Sequence, residues 1–379
     1  MATKTLKIRI KDSTACKELN RMARAISFVW NYCNETSFEA VRKNSQWLSY
    51  QDLQKLTKGA NKELGLNSAS VQMVCREYVT RRRQFKKRKL RWRGRKSLGW
   101  IPFRHDCIKF KDGIVTFNKK SYKPFQPERL PESDYKSGEF CQDSRGRWYI
   151  CIPIEYEPEQ YDARAEVGID LGLKDVATLS SGKKVSNGRY YRMMERKLAR
   201  AQKHKKKRQA RKIHAKIRNK RMDDLHKAST EIVQENCLIV VGKFGAKGLA
   251  KTKMAKSVND AAPTAFKTML KYKASAQQHR IFVEVPENFS TQICSSCEEI
   301  PDSAPKGVKD LGVREWVCSS CGAVHDRDVN AAMNILRFGR ESLVPKVAQA
   351  LLGLWLFLKF HHSLVFKSKF SKSSSWSYR

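Results

Sequence analysis

Cys294-Ser295-Ser296-Cys297, then Cys318-Ser319-Ser320-Cys321, then His325-Asp326-Arg327-Asp328-Val329-Asn330-Ala331-Ala332 is the stretch from which the rest of this chain can be read. Each CxxC turns tightly enough to aim both of its sulfurs at one point. Two such knuckles about twenty residues apart bring four thiolates together in a tetrahedron, the arrangement that a structural Zn²⁺ takes. Four unrelated cysteines or two disulfides are the competing reading, but a CxxC disulfide is a redox device rather than a staple. Immediately behind the second knuckle, Val329, Ala332, Met333, Ile335 and Leu336 recur at helical spacing. An aspartate at the start of such a helix is held in a fixed direction and favoured by the helix dipole, which makes Asp328 a candidate metal ligand.

The totals set the frame. With 379 residues, 41% of them hydrophobic, the chain is long enough for two or three domains with real cores. Its 76 Lys and Arg against 37 Asp and Glu give a formal net charge of +39. A compact chain so charged repels itself unless a polyanion neutralises it, so nucleic acid is the expected partner. The remaining cysteines (Cys16, Cys33, Cys75, Cys107, Cys141, Cys151, Cys237) lack framework spacing, and no signal peptide precedes them, which points to a reducing cytoplasm. The apolar run Leu351 to Phe360 is too short to span a bilayer, and no membrane partner is expected.

Outward from the knuckles, the preceding segments alternate between strand and helix signals. Leu6, Ile8 and Ile10 alternate with Lys7 and Arg9, the period of a half-buried strand. Leu19, Met22, Ile26, Val29, Trp30 and Cys33 then share one helical face, and breaks at Ser45–Tyr50 and Gly65–Asn67 mark a small helical insert. Its last helix runs into Arg81–Lys96, where eleven of sixteen residues are Lys or Arg, interleaved with Phe85 and Trp92. Ile108 and Phe110, Asp112-Gly113, then Val115 and Phe117 predict a hairpin, and Trp148, Ile150, Ile152 and Ile154 a further strand. With the first strand these are expected to close a small β-barrel.

After a Glu-, Pro- and Tyr-rich linker, Val167-Gly168-Ile169-Asp170-Leu171-Gly172 reads as a buried strand delivering Asp170, the opening of an RNase H-like fold, followed by a strand over Val176–Leu179. A lone D-x-G is a weak signal and gains force from the second acid, Asp328. Between Arg192 and Arg221 fifteen of thirty residues are basic and only Glu195 is acidic, on what the spacing predicts to be one long helix reaching Ile232. Cys237–Val241 and Ile281–Val285 read as strands, and Met254–Tyr272 as a helix. Arg81, Arg82, Arg83, Lys86, Lys87, Arg88 and Trp92 in the first basic run are read as nucleic-acid contacts. Arg196, Arg200, Lys205, Arg208 and Arg211 are the corresponding residues of the second. Dense charge beside stacking-capable aromatics suits a phosphate backbone better than a merely solvated face.

From Thr5 to Arg337 the chain resembles the TnpB family, the RNA-guided nucleases of insertion-sequence transposons related to the miniature type V CRISPR nucleases. The resemblance is most specific in Gly168-Ile169-Asp170-Leu171-Gly172, Phe289-Ser290-Thr291-Gln292, the paired knuckles, and Asp326-Arg327-Asp328-Val329-Asn330-Ala331-Ala332. It implies an α/β and α+β multi-domain chain, with a split β-barrel over 1–12 and 97–160 holding a helical insert over 13–96. A RuvC-like nuclease domain over 161–290 follows, then a zinc ribbon over 291–323, the last nuclease helix over 324–340, and a tail of no assigned role over 341–379. It further implies Zn²⁺ on Cys294, Cys297, Cys318 and Cys321, Mg²⁺ at the catalytic acids, and a guide RNA from the transposon end. A double-stranded DNA target and, as a further partner, the associated transposase are also implied, in the cytoplasm and on the nucleoid when DNA is bound.

A RuvC site needs three acids to bridge and neutralise two Mg²⁺ ions. Asp170 and Asp328 supply two. The family's usual glutamate follows the strand matching Cys237–Val241, where this chain has Gly242 and Lys243. Some branches move that carboxylate to the end of the next strand, which makes Glu287 the expected third acid and Glu284 its reserve. The alternatives are loss of the acid, leaving a nuclease-inactive RNA-guided DNA binder that represses transcription, and a zinc-containing RNA-binding protein without a DNA target.

Overall fold

A computed structural model describes residues 2–13, 15–249, 251–306, 310 and 312–343 of the chain. The proposed tail therefore lies outside the described residues from 344 on. The described part is mixed α/β and gathers into two compact units, one of residues up to Pro158 with Lys207–Lys212, the other of the remaining described residues from Glu159 on.

The first unit runs β1 (Ala2–Arg9), α1 (Ala15–Asn44), α2 (Tyr50–Leu56), α3 (Ala60–Glu63), α4 (Ser68–Phe85), β2 (Trp100–Phe103), β3 (Ile108–Lys111), β4 (Ile114–Phe117), β5 (Lys120–Tyr122), β6 (Gly138–Gln142) and β7 (Trp148–Tyr156). α1 buries Leu19, Met22, Ile26, Val29, Trp30 and Cys33, the stripe that its spacing predicts. Ser49 and Asp52 form a capping box at α2, and the Asn67 side chain caps α4. The β3–β4 hairpin closes on Asp112 (φ 52°) and Gly113 (φ 70°), both left-handed, as a two-residue turn matched to strand twist requires.

These strands do not close a barrel. They form two open sheets, β1-β7-β6-β2 and β3-β4-β5, with isolated bridges from Ile10, just past β1, to Pro124, just past β5, and from the loop residue Tyr135 to Ile154 of β7. The expected closure fails at β2, which pairs only with β6. Pro102 in β2 has no N–H to offer another strand, and its carbonyl accepts the Ser70 hydroxyl of α4 at 2.6 Å. That edge is covered by a helix rather than by a strand.

The second unit contains β8 (Ala165–Leu171), β9 (Asp175–Leu179), β10 (Lys184–Ser186), α5 (Tyr190–Lys203), α6 (Lys207–Glu235), β11 (Asn236–Gly242), α7 (Ala246–Leu249), α8 (Ala255–Ala261), α9 (Pro263–Ser275), β12 (Ile281–Val285), β13 (Glu315–Val317) and β14 (Val324–Asp326). A final helix, α10, spans 327–343. The main sheet is ordered β10-β9-β8-β11-β12. β8, β11 and β12 are parallel to one another, and β9 and β10 extend the sheet antiparallel.

Helices cover both faces of that sheet, as parallel strands require. Leu225, Ile232 and Val233 of α6 and Phe266, Met269 and Leu270 of α9 pack on Val167, Ile169, Leu171, Ile239 and Val241. On the opposite face Ile335 and Leu336 of α10 pack on Leu238, Val240 and Val285. Two expected helices are broken. The one reaching Ile232 divides at His204–Lys206, with Lys205 at φ 53°, where consecutive basic residues repel across each helical turn. The one over 254–272 divides at Ala262 (φ 50°), because Pro263 bars the preceding residue from the helical region.

Candidate active site and metal centre

Strand parity decides which acids meet. On β8, Val167, Ile169 and Leu171 face the α6 and α9 layer, so Gly168 and Asp170 face the α10 layer. On β11, Leu238 and Val240 face α10, and Gly242 continues that parity. Val241 pairs with Ile169 and Gly242 with Val285, so the ends of β8, β11 and β12 stand side by side. Val285 faces α10, and Glu287, two residues on, keeps its side of the sheet. Glu284 has the opposite parity and pairs with Lys267 of α9 at 2.9 Å.

Glu287 reaches back over β11. A Cβ built on Gly242 would lie 2.2 Å from Glu287 Oε1, 2.5 Å from its Cγ and 2.8 Å from its Cδ. The carboxylate of Glu287 therefore fills the space that a side chain at 242 would need. On this face the space beside β11 at residue 242 is occupied by a carboxylate that comes from just past the end of β12.

Asp328 comes from α10, and the helix is fixed at several points. Asp326 caps it, its Oδ1 accepting the backbone N–H groups of Asp328 and Val329, each at 3.0 Å, while Lys184 holds Oδ2 at 2.7 Å. The Asn330 amide donates to Ile293 O at 2.8 Å and its Oδ1 accepts from Ser295 N at 2.8 Å. Asn334 donates to Ser290 O and Ile293 O at 2.9 and 2.7 Å. A Cβ on Gly168 would lie 2.0 Å from Ala332 O and 2.7 Å from Leu336 N. Glycine on β8 and the fully buried Ala331 and Ala332 on α10 thus let the helix approach the strand that carries Asp170.

The electrostatics place the acids in one field. Burial, then the charges of Glu287 and Asp328, hold the Asp170 carboxyl well above the usual carboxylate range, with Arg327 opposing. Burial also raises Glu287, offset in part by Lys267. Glu287 Oε1 is buried without a hydrogen-bond partner. Such an oxygen costs about 1–3 kcal/mol unless a proton or cation takes it. Arg314 Nη1 lies 3.3 and 3.5 Å from the two oxygens of Asp328.

Hard carboxylate oxygens, one of them orphaned, fit Mg²⁺. The three acids are not among the groups whose ligand atoms all lie within 4.8 Å of one another.

The four cysteines do converge. Cys294, Cys297, Cys318 and Cys321 have sulfurs within 4.8 Å of one another, with Cys294–Cys321 and Cys297–Cys318 both at 3.7 Å. A Zn–S bond of about 2.3 Å gives a tetrahedral edge of about 3.8 Å, so the thiols fit Zn²⁺. His325 adds what the spacing did not reveal. It is buried under Trp316, ring centroids 4.8 Å apart, and its Nε2 lies 3.0 Å from Cys294 Sγ. A neighbour of that kind orients and tunes a ligand without being one.

Residues 149–253 match the family described as "Probable transposase", and residues 264–335 the one described as "Cas12f1-like, TNB domain". A protein of Streptomyces pristinaespiralis named "Putative RNA-guided DNA endonuclease" is 31% identical over 314 residues, 78% of this chain and 75% of that protein. The chain belongs to the TnpB family. More distant TnpB relatives include InsQ of Escherichia coli (strain K12), 26% identical over 53% of this chain and 56% of its own length. The TnpB-like protein L79 of Acanthamoeba polyphaga mimivirus is 29% identical over 52% of this chain and 42% of its own. This TnpB chain spans about half the length of those two. A solved Cas12f1–sgRNA–target DNA complex has a chain 16% identical to it, covering 89% of this chain and 99% of that one, with a TM-score of 0.36.

In this TnpB protein the basic residues expected to contact nucleic acid have unequal surroundings. Arg83, Lys86, Lys87, Arg88 and Trp92 are exposed, as are Arg196, Arg200, Lys205, Arg208 and Arg211. Arg81 is exposed and paired with Glu77 at 2.6 Å. Arg82 is not a surface residue. It is 4% exposed, stacks on Trp47 and Tyr78, and donates to Leu48 O at 2.6 Å. Its position explains this, since it continues the buried stripe Val71, Val74, Cys75, Tyr78 of α4. Arg314 went unassigned from the sequence, because it carries no local signal beyond its charge, and Asp326 was read only as part of its motif although an Asp just before a helical period is an N-cap signal. Among the described residues no helix is long and apolar enough to cross a membrane.

Proposed function

We propose that this TnpB-family protein is an RNA-guided DNA endonuclease whose RuvC-like site is Asp170, Glu287 and Asp328, cutting guide-matched DNA by Mg²⁺-dependent phosphodiester hydrolysis. The observation that carries this reading is the seat of Glu287 over Gly242, on the face of the sheet that bears Asp170 and is covered by α10, the helix that carries Asp328. The nuclease-inactive alternative rests on the acid missing at 242, and the carboxylate occupying that same volume weighs against it.

Bound Mg²⁺ would supply an activated water and a stabilised leaving oxygen. The chain's own contribution is placement. Asp170 sits on a central strand, Asp328 on a capped and clamped helix turn, and Glu287 just past a strand end, so the three carboxylates need little reorganisation. Arg314 beside Asp328 is a planar cation suited to a phosphate oxygen and offsets part of the acidic field. Zn²⁺ on the four cysteines would hold the ribbon from which α10 starts. The exposed residues of Arg81–Lys96 and Arg192–Arg221 would contact the backbones of guide RNA and DNA, with base pairing reading the sequence and protein reading shape.

Asp170→Ala and Asp328→Ala are each expected to abolish Mg²⁺-dependent cutting while leaving affinity for the co-purified guide RNA within about twofold, since neither is among the residues read as nucleic-acid contacts. Retained cutting in either variant would remove that residue from the site.

A further inference from the structure

A cavity of about 1120 Å³ lies in the first unit where the end of α4 meets the irregular segment leading to β2. Its wall is both aromatic and cationic. Trp92, Phe85 and Leu98 are 52, 55 and 51% exposed, and Arg81, Lys87 and Arg91 stand around them.

The backbone that carries Trp92 is pinned to α1 by buried side-chain amides. Asn31 accepts from Arg93 N at 2.8 Å and donates to Arg93 O at 3.0 Å. Asn34 does the same for residue 90, accepting from Leu90 N and donating to Leu90 O, both at 2.9 Å. Trp30 Nε1 donates to Arg91 O at 3.3 Å. Each amide imitates a neighbouring strand, satisfying both N–H and C=O of one residue. Residues 90–93 are therefore held in place although they belong to no helix or strand, and the exposed Trp92 lies between the two pinned residues. The Arg93 guanidinium lies over Trp100 and donates to Leu98 O at 2.7 Å, securing the far side.

A tryptophan half-exposed on a rigid backbone, ringed by cations, has an evident complement. The π-face accepts any base and the cations accept the flanking phosphates. A duplex keeps its bases stacked inside and offers such a platform only its backbone. We infer that Trp92 is a pre-organised stacking platform for an unpaired nucleotide of a bound single strand, with Asn31 and Asn34 as its positioning residues. This rests on the nucleic-acid reading above and adds to it what the cavity takes, a base rather than phosphate alone. Pre-organisation removes the ordering cost that a flexible loop would incur on binding.

The test uses the full chain and two labelled probes of equal length and charge, an oligoadenylate strand and its abasic counterpart, titrated by fluorescence anisotropy at fixed salt. Wild type is expected to prefer the strand with bases by about tenfold. Trp92→Ala should abolish that ratio without changing the salt slope, Trp92→Phe should keep much of it, and Arg91→Ala should lower the slope and spare the ratio. Asn31→Ala, which leaves the ring in place, should reduce the ratio by freeing its support. An unchanged ratio in Trp92→Ala overturns the platform while the nucleic-acid reading stands. Absence of salt-dependent binding to the abasic strand overturns that reading, and the platform with it. Running the probes as RNA and as DNA separates a guide RNA nucleotide, which binds only as RNA, from one of a displaced DNA strand.

Discussion

Gly242 is the residue on which the site turns. Elsewhere glycines in this sheet answer to backbone approach, as Gly168 does under α10, but Gly242 answers to the carboxylate of Glu287. Even the smallest side chain there collides with it, so Gly242→Ala is expected to displace Glu287, cost about 1–3 kcal/mol of stability and abolish cutting while RNA binding persists. Cleavage at the wild-type rate by a folded Gly242→Ala protein would show that Glu287 is not the third acid. The choice between Glu287 and Glu284 was legible in principle, because Val283, Val285 and Glu287 share a parity that Glu284 breaks. Arg82 was legible by the same reasoning on a helix, its spacing from Tyr78 placing it inside despite its charge. His325 was not legible, since its partner, Cys294, stands far away in sequence and only the fold brings them together.

Among the elements, those with local signals formed as their sequence indicates. The Asp112-Gly113 hairpin, the α1 stripe and the β8 strand need only nearby residues. Barrel closure depends on which distant strand reaches an edge, and the β2 edge is taken by Ser70 of α4, a pairing no local pattern encodes. The division at Ala262 did have a signal, Pro263, which the apolar period across 254–272 outweighed. α9 also carries a titratable clamp: Lys273 Nζ donates to His226 O, Ser229 Oγ and Thr230 Oγ1 of α6 at 2.6, 2.7 and 2.6 Å. Burial lowers this lysine to about 8. The unfolded chain then binds more protons than the folded one between about pH 8 and 10.4, so stability rises with pH across that window, and below it the cost of the buried charge is fully present. Wild type is expected to gain about 1 kcal/mol relative to Lys273→Met between pH 8 and 10. Parallel pH profiles of the two denaturation midpoints would refute the shift.

Over the whole molecule, a chain of net charge +39 concentrates three acids at one end of one sheet, against the trend of its composition. Such a reversal supports the cation site proposed above. The ribbon supports it from the side. Structural zinc contributes roughly 10–16 kcal/mol to a small module, comparable with the stability of a whole domain, so its loss is not absorbed locally. Cys318→Ser is expected to lose bound zinc by atomic absorption, expose Trp316 by its fluorescence, and abolish cutting. A zinc-free variant that still cuts would detach the ribbon from the active site.

The most direct measurement is Mg²⁺-dependent cleavage of a plasmid library matched to the co-expressed transposon-end RNA, comparing wild type, Glu287→Ala and Glu284→Ala. The account predicts that wild type and Glu284→Ala cut and Glu287→Ala does not, with all three holding RNA equally. If wild type binds RNA and matched DNA without cutting, or if Glu287→Ala cuts as wild type does, a third acid at Glu287 is contradicted.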